Sequence, residues 1–109
     1  MKKPEFNNGF ITALALFYGH REQFREHSKI AGYDMRIYGA SDHLLDIQYP
    51  ENLEPELKEK VERFVNDVIS LRLERISQRE ADELFDRCLE ILKEIDEKYF
   101  GLKVTVNYP

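Results

Sequence analysis

The chain has 109 residues, 42% of them hydrophobic and 34% charged, with a net charge of −5. That balance suits one globular domain over residues 1–109 and excludes intrinsic disorder. Lys and Arg are interleaved with Glu along the sequence, so the counterion-release term behind nucleic-acid affinity has no source and nucleic acid is not an expected partner. The single cysteine, Cys88, excludes an intramolecular disulfide and any zinc site built on paired cysteines.

The opening Met1, Lys2 and Lys3 with the apolar run at residues 10–18 has the outline of a signal peptide. Glu5, Asn7 and Asn8 interrupt it, however, and the run falls short of the ~20 residues that span a bilayer. The expectation is a cytoplasmic protein with no membrane association. Abundant Glu, Lys and Arg without tryptophan lean toward a thermophilic source.

Residues 1–7 read as a loose terminus ahead of a first helix, capped by Asn7 or Asn8 and running to about Ser28. Its first half, from Phe10 to Tyr18, is apolar around nearly the whole circumference, while its second half is polar apart from Phe24. A helix greasy on every side must be covered on more than one, by the rest of the domain or by a second copy of the chain. Gly32 then marks a break. Met35 and Ile37 alternate with Asp34, Arg36 and Tyr38; after a turn-like stretch of Gly39, Ala40, Ser41 and Asp42, the residues His43, Leu45, Ile47 and Tyr49 alternate with Leu44, Asp46 and Gln48. Two such runs predict a β-hairpin, with a helix over residues 42–47 capped by Ser41 as the competing reading.

Pro55, tolerated in a first helical turn, opens a second helix to about Leu73, with Asn52 or Glu54 before it as cap. Its stripe is Leu57, Val61, Phe64, Val68 and Leu71. A long third helix over residues 76–102 carries Ala81, Phe85, Cys88, Leu92, Ile95 and Tyr99 at the same spacing of four and three. It opens on a capping box, Ser77 with Glu80, inside a hydrophobic staple of Ile76 and Ala81, and it closes at Gly101. The short link forces the two helices into an antiparallel hairpin, with Phe64 near Cys88 and Leu57 near Ile95. Val104, Val106 and Tyr108 alternate with Lys103, Thr105 and Asn107 as a last strand. The expected architecture is therefore α+β, in the order α, β, β, α, α, β, with three helices on one face of a three-stranded sheet.

No stretch carries a motif specific enough to name a reaction, and no cofactor is implied. The acids Glu83, Asp86, Glu90, Glu94 and Glu97 bring to mind the magnesium-binding helices of nucleotide pyrophosphohydrolases. Here Arg79, Arg87, Lys93 and Lys98 interleave with them, as on a solvated, salt-bridge-laced face turned from the partner helix. The glycines are scattered and form no phosphate loop. His20 and His27, with Gln23 and Phe24 between them, share one helix face but lie about 10 Å apart at 1.5 Å rise per residue, too far to grip one ion. Ser41, Asp42 and His43 are chain neighbours and cannot converge as a triad. Two readings follow. The first is a non-catalytic interaction or scaffolding module that self-associates through Phe10, Leu14, Phe17 and Tyr18. The second is a small metal- or ligand-binding enzyme whose site uses His20, Arg21, Asp42 and His43, where the polar end of helix one meets the hairpin turn.

Overall fold

The four–three stripes at residues 57–71 and 81–99 set the frame. In a computed structural model that describes residues 9–32 and 34–100, they lie on α4 (Pro55–Ser70) and α5 (Gln78–Ile95). Leu57, Val61, Phe64 and Val68 are at most 1% exposed, and Ala81, Phe85, Cys88, Leu92 and Ile95 likewise. The two helices run antiparallel, and ion pairs cross between them from Asp67 to Arg87 (2.9 Å) and from Lys60 to Glu94 (3.5 Å). Glu94 thus turns toward the partner helix, contrary to its expected place on an outward stripe. α5 starts on a complete capping box: the Ser77 hydroxyl accepts from Glu80 N, and the Glu80 carboxylate accepts from Ser77 N. It passes into a π-helical turn at Asp96–Phe100, where Lys98 reaches Glu54 (2.7 Å) and the Tyr99 hydroxyl accepts from Glu54 N. Gly101 lies outside the described residues.

The predicted first helix is two, α1 (Ile11–Gly19) and α2 (Arg21–Ala31). They part at Gly19, a poor helix former placed where the apolar girth gives way to a polar face. Gly32 then ends α2 in the left-handed conformation (φ 70°), its N–H donating to Ser28 O. α1 is buried by the chain itself: Phe10, Leu14 and Phe17 are 0% exposed and Tyr18 4%. Phe17 sits in the wedge of the α4–α5 hairpin, its ring 5.5 Å from Phe64 and 5.0 Å from Phe85. The four residues expected to mediate self-association are thus covered from within the chain, by α3 and α5 and, at Phe17, by Phe64 of α4.

The α+β architecture is overturned. The described residues contain no sheet, and residues Tyr38–Leu45, read as turn and strand, form helix α3. The side chains that go inward are Ile37, Ala40, Ser41 and Leu44, a spacing of three and four, while Leu45, expected to face inward, is 46% exposed. The adjacent pair Leu44 and Leu45 imitates a strand only if one of them is assigned the wrong face. Ser41 is satisfied inside the helix by donating to Tyr38 O (2.8 Å). What remains of the expected hairpin is a single antiparallel bridge, Met35 with Ile76, made by a reciprocal pair of backbone hydrogen bonds. The predicted third strand, at residues 103–108, lies outside the described residues. Among those residues no helix is long and apolar enough to cross a membrane.

Candidate functional site

His20 stands at the junction that splits the first helix. Its N–H donates to Phe17 O (3.1 Å) and its carbonyl accepts from Phe24 N (2.9 Å), so it closes α1 and opens α2 at once. With both backbone groups committed, its ring lies where α1 packs on α3. His43, in the second turn of α3, meets it there: the two Nε2 atoms are 3.0 Å apart and the ring centroids 5.0 Å. At that distance one ring presents N–H and the other a lone pair. Burial, reinforced by the neighbouring imidazole of His43, holds His20 below the usual histidine pKa of 6.5, which keeps it uncharged at neutral pH.

Beside the pair is an open surface pocket of about 190 Å³. It is walled on α2 by His20, Gln23, Phe24 and His27, and opposite by Arg36, Ile37, Gly39 and Ala40 where the chain enters α3. The α2 wall is one face of a helix, repeating every three and four residues. Gly39 brings the α3 backbone against the His20 ring, so that a methyl group there would sit 3.9 Å from Cε1. The lining offers donors from Arg36, Gln23, His20 and His27 and, among the described residues, holds no carboxylate, which in a chain of net charge −5 is a local reversal of sign.

Of the four predicted site residues, the structure brings together His20 and His43 and sends the others elsewhere. Arg21 pairs with Glu22 (3.0 Å) and lies over the Tyr18 ring. Asp42 points to Arg72, whose guanidinium bonds its carboxylate at 2.6 Å, reaches the Ser41 hydroxyl at 3.3 Å and stacks 4.0 Å over the Tyr38 ring. This Arg72 clamp ties α3 to the chain leaving α4, and so fixes where His43 can be. Sequence reasoning missed both Arg72 and Arg36. Arg36 lies in the segment whose alternation predicts a strand; the one legible signal was the shared face of His20, Gln23 and His27.

A larger surface groove of about 480 Å³ runs along α4 and α5, lined by Glu56, Glu59, Lys60, Arg63, Arg87 and Glu90 over Phe64 and Ile91. Its charges are of both signs and largely neutralise one another, as in Arg63 with Glu59, so size alone does not make it the site. Nor do the α5 acids assemble a metal centre: among the described residues no three His, Cys, Asp or Glu side chains cluster to hold an ion. Cys88 is buried, with its thiol donating to Leu14 O (3.2 Å), and burial pushes its pKa far up, which makes it a core residue and not a nucleophile. No protein-family model, curated protein or solved structure matches this chain.

Proposed function

We propose that the protein is a small ligand-binding domain whose site is the seam between α2 and α3, centred on His20 and His43 and extending into the adjoining cavity. The observation that carries this reading is the meeting of two imidazoles, 23 residues apart in sequence, on the rim of a cavity furnished with hydrogen-bond donors and, among the described residues, free of acids. A small anion, of the size of a phosphate or a short dicarboxylate, answers that lining. Arg36 offers its guanidinium while anchored through Nε to Leu73 O (3.0 Å), and Gln23 and His27 lie across from it. The buried, unpaired Cys88 supports a reducing setting, the cytoplasm. No nucleic-acid partner is proposed. The alternative is a non-catalytic interaction or scaffolding module, whose expected self-association residues Phe10, Leu14, Phe17 and Tyr18 are buried within the chain itself.

The test is calorimetric titration of the full chain with inorganic phosphate and with malonate, alongside thermal melts, since a ligand that binds only the folded state raises Tm. One saturable site is expected. Arg36→Ala should weaken it by about ten- to a hundredfold, the size of a lost charge-assisted hydrogen bond. Absence of saturable binding and of any rise in Tm with both anions would overturn the reading.

A further inference from the structure

We propose that His20 and His43 together chelate a divalent transition-metal ion through their Nε2 atoms. The inference rests on the reading that the α2–α3 seam is the binding site, and it names a second occupant of that site. Metal–imidazole bonds of about 2.0–2.1 Å, at the right-angled to tetrahedral angles such ions prefer, require ligand nitrogens roughly 2.8–3.4 Å apart. The observed separation of 3.0 Å falls within that window. The two rings come from different elements, one fixed at the α1–α2 junction and the other by the clamped α3, so the spacing is set by the fold and not by one flexible segment.

The donor set defines the class of ion. Two imidazoles, with no carboxylate among the described residues lining the cavity beside them, suit Cu2+, Ni2+ or Zn2+ rather than Mg2+ or Ca2+. Without metal, the pair is joined by one N–H to lone-pair bond. On binding, the hydrogen on that Nε2 relocates to Nδ1 of the same ring, which frees both Nε2 lone pairs with no change of net charge on the protein. A protonated ring cannot ligate, so both imidazoles bind the ion in their neutral form. Two protein ligands leave coordination positions open. His20 borders both the pair and the cavity, so an anion lodged near Arg36 is placed to complete the shell.

The experiment uses the full chain without an affinity tag, stripped by chelator and titrated with Zn2+ and with Cu2+ at pH 7.5. One ion per chain is expected, with a rise in Tm and, for Cu2+, a paramagnetic resonance spectrum split by two imidazole nitrogens. His20→Ala and His43→Ala should each cost at least about tenfold in affinity, since losing even an outer-shell partner of a metal ligand costs about 10–100-fold. Arg79→Ala, on the exposed face of α5 away from the seam, should leave the affinity intact. Where an alanine variant misfolds, His20→Gln and His43→Gln, checked by circular dichroism, carry the same test, with the nitrogen count falling from two to one. Arg36→Ala should keep the metal while losing phosphate. Metal affinity unchanged in both histidine variants, or no saturation at one ion, overturns chelation. Phosphate binding that survives such a result leaves the site reading standing, and loss of both ligands takes that reading down as well.

Discussion

Replacing Phe85 by alanine tests whether the α4–α5 hairpin encloses α1. Phe85 is 0% exposed, and its ring lies 5.0 Å from Phe17 on α1 and 6.3 Å from Phe24 on α2, so one side chain joins three helices. Emptying a buried phenylalanine site costs about 3–5 kcal/mol, and each aromatic pair adds about 0.5–1.5 kcal/mol beyond the area it covers. The loss should therefore sit in the upper half of the first range. A domain of this size has about 5–15 kcal/mol in all, so the variant is left marginal. Phe85→Leu, which keeps much of the volume but loses both aromatic pairs, should cost about 1–3 kcal/mol, and Ile30→Ala no more than about 0.5 kcal/mol, because Ile30 is 83% exposed. Urea denaturation followed by circular dichroism reads all three as shifts in midpoint at constant slope. A loss under about 1 kcal/mol for Phe85→Ala, or one no larger than that of Ile30→Ala, would show that α5 does not seat against α1 and α2 and would refute the packing described.

Gly39 lies inside α3 at negative φ, and an added methyl meets only His20 Cε1 at 3.9 Å. Gly39→Ala should accordingly stabilise the protein by about 0.4–1 kcal/mol in the same urea assay, whereas a turn glycine would lose stability on that change. The Tyr18 hydroxyl is buried with no hydrogen-bond partner among the described residues. Tyr18→Phe should leave the urea midpoint unchanged or raise it by up to about 1 kcal/mol in stability, and a clear loss would mean that the hydroxyl is satisfied. Since His20 titrates below 6.5 in the folded chain, the unfolded chain takes up its proton first as pH falls. Stability contributed at this residue is complete above pH 6.5, declines as pH drops from there to the lowered folded value, and levels off below it. Urea midpoints measured from pH 7.5 downward should show that decline in the natural chain and a shallower one in His20→Gln; identical profiles would remove the linkage.

Much of the helical frame was legible because its cues are local and redundant. The capping box of Ser77 and Glu80, the first-turn Pro55, the terminal Gly32 and two stripes with a spacing of four and three each mark an element by its own chemistry. The hairpin over residues 34–49 failed for the opposite reason. In so short a segment, Ile37, Ala40, Ser41 and Leu44 satisfy a helical period while their neighbours satisfy an alternating one, and what decides between them is tertiary. Arg72, some 30 residues away in sequence, secures α3 through Asp42, Ser41 and Tyr38. The break at Gly19 was visible as a change of composition but not as a change of direction. The same long-range dependence explains the site: His20 and His43 were both marked by their chemistry, yet Arg36 and Arg72 gained their places only once the chain had folded into helix where a sheet was expected.

The most direct test of the account is a nuclear Overhauser measurement between the two imidazoles in the isotopically labelled full chain. With Nε2 atoms 3.0 Å apart, ring protons of His20 and His43 should give an inter-ring cross-peak, and His20 should titrate below the usual histidine range. Two rings with no cross-peak between them, with His20 titrating as an isolated histidine, would contradict the placement of α3 and with it the proposed site.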